Sequence, residues 1–100
     1  DAQTEQVMQD LYKKTGYIAE PHAAIAYKVL SDNLKDGEVG IFLGTAHPAK
    51  FKSEVDRILN IDLPLPKALE DTVNKESLSV TLKADYNTLK EYVLKALNLK

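Results

Sequence analysis

A chain of 100 residues allows one compact domain and leaves no room for a second. Its hydrophobic share of 44% and charged share of 28% are those of a chain that folds around an apolar core rather than a disordered one. The net charge of −2, with both signs interspersed, lacks the broad positive field that draws nucleic acid or an anionic membrane, and the absence of cysteine excludes disulfides and thiolate metal sites.

The cysteine-free composition fits a reducing compartment, and a cytoplasmic location is expected. No apolar run approaches the roughly 20 residues that span a bilayer. The chain starts at Asp1-Ala2-Gln3 without a basic and apolar signal pattern, and reads as a chain entered in its middle.

Between Thr4 and Thr15 the residues Val7, Met8, Leu11 and Tyr12 recur at helical spacing, and Gly16 is suited to close that helix in the left-handed conformation. Tyr17-Ile18-Ala19 then leads to Glu20-Pro21, where proline opens a second helix without sacrificing a paired N–H. That helix runs to about Asn33. It carries Ala23, Ala24, Ile25, Ala26, Tyr27, Val29 and Leu30, so it is apolar around most of its circumference and calls for neighbours on several sides.

Lys35-Asp36-Gly37 is a polar turn. The continuous apolar run Val39-Gly40-Ile41-Phe42-Leu43 has the pattern of a strand buried on both faces of a parallel sheet (39–43). Its partners are hard to find within the chain: Leu78, Val80 and Leu82 alternate with polar residues and suggest only an edge strand (78–82). The sheet is therefore expected to lie mostly outside these residues.

Gly44-Thr45-Ala46-His47-Pro48 follows as a loop, and Phe51, Val55, Ile58 and Leu59 then share one face of a helix, giving half of a βαβ unit. Leu63-Pro64-Leu65-Pro66 is a stiff connector, from which Pro66 opens a short helix carrying Leu69 and Val73. Asp85 is a good N-cap for a last helix that aligns Tyr86, Leu89, Val93 and Leu97.

Parallel sheets bind ligands beyond the carboxyl ends of their strands, which makes Gly44-Thr45-Ala46-His47 the most site-like stretch. Gly44 permits close approach of a ligand, and the Thr45 hydroxyl both donates and accepts. An ordinary strand-to-helix turn explains the same residues. His22 and His47 lack the spacing of a metal site, so no metal is expected, and a cap on the following helix is the plainer role for His47. Glu20 fits a helix N-terminus. Lys50 and Lys52 are near enough to the loop to meet a phosphate, although solvated lysines are common there.

Gly16-Tyr17-Ile18-Ala19-Glu20-Pro21-His22-Ala23-Ala24 and Gly44-Thr45-Ala46-His47-Pro48-Ala49-Lys50-Phe51, with the Leu-Pro connector beyond them, resemble the C-terminal part of threonine synthases. The resemblance implies a fold-type-II pyridoxal phosphate enzyme that converts O-phospho-L-homoserine and water to L-threonine and phosphate, with the cofactor as electron sink. It places Thr45 beside the pyridine nitrogen, with Gly44 and Ala46 shaping the same wall and His47 bordering the ring. Glu20, from its Glu-Pro, falls at the pocket rim.

The family's Schiff-base lysine and phosphate-gripping loop lie far earlier in such an enzyme, so no catalytic residue is assigned here. Residues 1–100 are thus expected to be the C-terminal segment of the catalytic domain, without its N-terminal remainder, in the α/β class: mostly helices, with the buried strand 39–43 and the edge strand 78–82. The segment alone is expected to be inactive, to bind no cofactor, and to cover its exposed strand edge by pairing with another copy or by rearranging. A competing reading is an autonomous helical protein-interaction module without catalysis, marked by partner-dependent folding and indifference to the cofactor; another is a small structural or regulatory domain.

Overall fold

Residues 1–98 are described by a computed structural model of the chain. Helix α1, Ala2–Thr15, is capped by the Asp1 carboxylate, which accepts the Thr4 N–H at 2.8 Å. Gly16, at φ 76°, closes the helix and donates its N–H to the Tyr12 carbonyl. A side chain there would be strained, because the left-handed region crowds any Cβ.

Helix α2, Pro21–Asn33, packs against α1, with Ala23 and Ala24 buried and small enough to let the backbones approach. A 3-10 turn, Pro48–Phe51, feeds directly into helix α3, Lys52–Leu59, which also packs on α1. Asn60, at φ 54°, ends α3. Two polar bridges fix the α1–α3 pair: Gln9 donates to the Ile58 carbonyl at 3.0 Å, and Arg57 donates to Glu5 at 2.8 Å.

The core lies where these three helices meet. Met8 and Val55 are fully buried, with Leu11, Ile58 and Leu63 nearly so. Full burial of such side chains contributes about 1.5–3 kcal/mol each. The apolar circumference of α2 is only partly covered, since Ile25 and Val29 remain exposed.

Helix α4, Lys67–Glu70, is one turn, and helix α5, Tyr86–Ala96, starts at Asp85, whose carboxylate accepts the Thr88 N–H at 2.9 Å. No residue between 70 and 98 is buried. This arm lengthens the molecule to 63 × 30 × 23 Å.

The structure corrects the α/β expectation. Among the described residues there is no strand, neither at 39–43 nor at 78–82, and the elements are all helical. A strand is defined by ladder hydrogen bonds to a neighbour, and no segment of the described chain supplies that neighbour. Residues 39–43 have no regular secondary structure; Val39, Ile41 and Leu43 are 94%, 85% and 77% exposed. Phe42 alone packs inward, edge-on to Tyr17 and Tyr27 with ring centroids 6.3 and 5.5 Å away. The alternation Leu78, Val80, Leu82 likewise yields an unpaired surface segment, with Leu78 almost fully exposed. The half βαβ unit is thereby replaced by an unpaired segment, a 3-10 turn and a helix.

Candidate functional site

Three segments converge on an open cleft of about 660 Å³. Gly16, Tyr17 and Ile18 come from the α1–α2 link, Gly44 to Pro48 from the loop before the 3-10 turn, and Leu63 and Pro64 from the connector after α3. Their side chains include no carboxylate, no lysine and no arginine. The polar groups are the hydroxyls of Tyr17 and Thr45 and the imidazole of His47.

The loop is held in shape by His47. Its Nδ1 accepts the Ala49 N–H at 3.0 Å and so caps the 3-10 turn. An accepting Nδ1 is unprotonated, which leaves Nε2–H as the donor of the neutral ring.

Gly44 is unusual in what does not constrain it. A Cβ there would sit 3.6 Å from the Tyr17 hydroxyl oxygen and 3.8 Å from the Ala23 Cβ, ordinary contact distances, and its φ is outside the left-handed region. Packing within the chain gives no reason for glycine at this position.

Gly44, Thr45, Ala46 and His47 therefore share one wall of the cleft, whereas Glu20 is not among its lining residues. Glu20 is 1% exposed and caps α2: one carboxylate oxygen accepts the Ala23 N–H at 2.6 Å, and the other accepts the His22 N–H at 2.9 Å and faces His22 Nδ1 at 2.8 Å. Burial pushes its carboxyl pKa up, but the hydrogen bonds from His22 and Ala23 outweigh that and hold it below the ordinary carboxylate value. Because an ionised carboxylate only accepts, His22 Nδ1 carries its proton, and the ring lies on Phe51 with centroids 5.4 Å apart.

Tyr17, Leu63 and Pro64 were not legible as cleft residues. The glycine before Tyr17 and the prolines flanking Leu65 signal turns, but not that those turns meet. Among the described residues no cluster of acids and histidines could hold a metal ion, and no helix is long and apolar enough to cross a membrane.

The family description "Threonine synthase, C-terminal" matches residues 23–93. Threonine synthase of Serratia marcescens is 51% identical over 94 residues, 94% of this chain and 22% of that protein. The Haemophilus influenzae and Escherichia coli threonine synthases are 50% and 49% identical over 96 and 94 residues, 96% and 94% of this chain and again 22% of each relative. The crystal structure of Escherichia coli threonine synthase superposes with a TM-score of 0.84 at 48% identity, over 96% of this chain and 22% of that one. The chain thus spans about a fifth of the length of the relatives it matches, with its helices arranged as in the solved structure. On the matched residues 23–93, which hold the Gly44–His47 wall, the chain belongs to the threonine synthase family, in its C-terminal part.

Proposed function

We propose that the cleft is one wall of a pyridoxal phosphate site, and that residues 1–100 are the C-terminal segment of the catalytic domain of a cytoplasmic threonine synthase. The whole protein would then convert O-phospho-L-homoserine and water to L-threonine and phosphate. The observation that carries this reading is the uncharged wall Gly44-Thr45-Ala46-His47 in a chain of this family.

The residues present suit the cofactor. A carboxylate beside a pyridine nitrogen would favour its protonated form, whereas a neutral hydroxyl supports the unprotonated ring. The cleft lining offers hydroxyls and no acid, and the nearby Glu20 carboxylate is committed to α2 and His22. When bound, pyridoxal phosphate supplies the electron sink for the chemistry at the amino acid.

In this arrangement Thr45 would donate a hydrogen bond to the ring nitrogen, and Gly44 would let the flat ring approach the backbone. His47 fixes the loop through its cap and would border the ring. Among the described residues the lining contains no lysine to carry the cofactor, so this segment by itself is expected to be inactive and to hold little or no cofactor.

The test is expression from the complete reading frame, intact mass, and the absorbance of bound pyridoxal phosphate. Replacing Thr45 by Val should weaken cofactor binding about three- to tenfold, the equivalent of one neutral hydrogen bond, while Thr45→Ser stays close to wild type. A complete product that takes up no cofactor overturns the reading in favour of the helical interaction module.

A further inference from the structure

We infer that Lys52 is a positioning residue that sets the separation between the two walls of the cleft, the Gly44–Pro48 loop and the Leu63-Pro64 connector. The consequence for cofactor binding rests on the pyridoxal phosphate reading; the geometry does not.

Lys52 is the first residue of α3 and directly follows the 3-10 turn that starts at the cleft residue Pro48. An ammonium has three protons to donate. Lys52 has three partners: Asp56 Oδ2 at 2.7 Å, Asp62 Oδ1 at 2.6 Å and the Leu63 carbonyl at 2.8 Å. The other oxygen of Asp56 accepts the Leu63 N–H at 2.8 Å.

Both backbone polar groups of Leu63 are thus held by the Lys52–Asp56 pair, whose members lie eleven and seven residues earlier in the chain. The next peptide bond leads into Pro64, whose fixed φ passes the orientation of Leu63 on to the cleft wall. Lys52 therefore joins the end of one wall to the start of the other.

The other lysine–aspartate pairs at the same spacing differ in this respect. Lys67–Asp71 and Lys28–Asp32 each decorate the surface around one helix, whereas the Lys52 and Asp56 side chains are only 31% and 25% exposed and reach a distant backbone segment. The hydrogen bonds from Lys52 and from the Leu63 N–H hold the Asp56 carboxyl below its ordinary range, so the pair is charged at neutral pH. With its three protons engaged, Lys52 does not serve as a phosphate grip.

The test compares Lys52→Met, Lys52→Arg and Asp56→Asn with Lys67→Met as a remote control, in the protein from the complete reading frame. Two quantities are read: the amide resonances of Gly44 and Thr45 across the cleft, and the dissociation constant for pyridoxal phosphate by absorbance titration. Lys52→Met and Asp56→Asn should shift both amide signals and weaken the cofactor about tenfold, as small misplacements of a site wall do, with thermal midpoints within a few degrees of wild type. Lys52→Arg should restore most of the affinity, and Lys67→Met should change neither quantity.

The inference is overturned if Lys52→Met leaves the Gly44 and Thr45 signals in place, or if it shifts them without changing the affinity of a wild-type protein that does bind the cofactor. Equal effects from Lys67→Met overturn it as well. If the wild-type protein binds no pyridoxal phosphate, the cofactor reading falls, and the amide signals alone decide the clamp.

Discussion

Glu20 and His22 share one carboxylate oxygen: it accepts the His22 backbone N–H at 2.9 Å and lies 2.8 Å from the ring Nδ1, while the other oxygen takes the Ala23 N–H at 2.6 Å. A carboxylate that is 1% exposed is costly to bury unless it is fully partnered, and three donors supply that compensation. The result ties the start of α2 to an imidazole resting on Phe51, at the end of the 3-10 turn.

Glu20→Gln should therefore cost about 1–3 kcal/mol, because an amide places an N–H₂ against donors and leaves one of them unsatisfied. The folded-state pKa of Glu20 lies below its unfolded value, so its contribution is complete above about pH 4.3 and is lost as pH falls through the folded pKa. Urea unfolding across the acid range should show a limb in the wild type that is diminished in Glu20→Gln. Equal acid limbs in both would remove Glu20 from the account.

Two glycines should respond in opposite directions. Gly16→Ala forces a Cβ into the left-handed region at φ 76° and should cost about 1–2 kcal/mol in denaturant unfolding. Gly44→Ala meets only ordinary contacts and should leave stability unchanged or raise it by about 0.4–1 kcal/mol through the unfolded state. If the glycine serves a ligand, the same Gly44→Ala protein should lose cofactor affinity without losing stability. A clear loss of stability would show that packing does constrain this position.

The helices were readable because their signals are local. Gly16 closing α1, Pro21 opening α2 and Asp85 capping α5 each require a particular backbone conformation or acceptor within a few residues. That residues 39–43 form no strand was not readable in the same way, because strand character belongs to a pair of segments while an apolar run reports only a demand for cover. Within the cleft, the Gly44–His47 wall stood out as a motif. Tyr17 and Leu63-Pro64 reach it through packing between segments far apart in the chain, and the burial of Glu20 depends on the same packing. Periodicity carries no trace of either.

Asp85 offers a test of how independent the α5 arm is. Its carboxyl pKa is lowered by the Thr88 backbone N–H and then by the Thr88 hydroxyl, so the cap persists above the ordinary carboxylate range and is lost as pH falls through the depressed value. Asp85→Ala should speed amide hydrogen exchange at Thr88 several-fold and leave the global unfolding midpoint unchanged, since no residue of α5 is buried. A lowered global midpoint would mean that α5 is coupled to the core.

The segment 39–43 gives the sharpest contrast, because adjacent residues differ in surroundings. Ile41 is 85% exposed, so Ile41→Ser should change the stability of the 100-residue chain by less than about 0.5 kcal/mol. Phe42 packs between Tyr17 and Tyr27 and partly covers the core, so Phe42→Ala should cost about 1–3 kcal/mol, below the figure for a fully buried ring. A strand covered on both faces would make the two substitutions comparably damaging, since Ile41 would then be as enclosed as Phe42. Urea unfolding of the two variants separates these cases: a large loss for Ile41→Ser would mean that this side chain is covered in solution, whereas loss confined to Phe42→Ala fits an unpaired segment anchored by one ring.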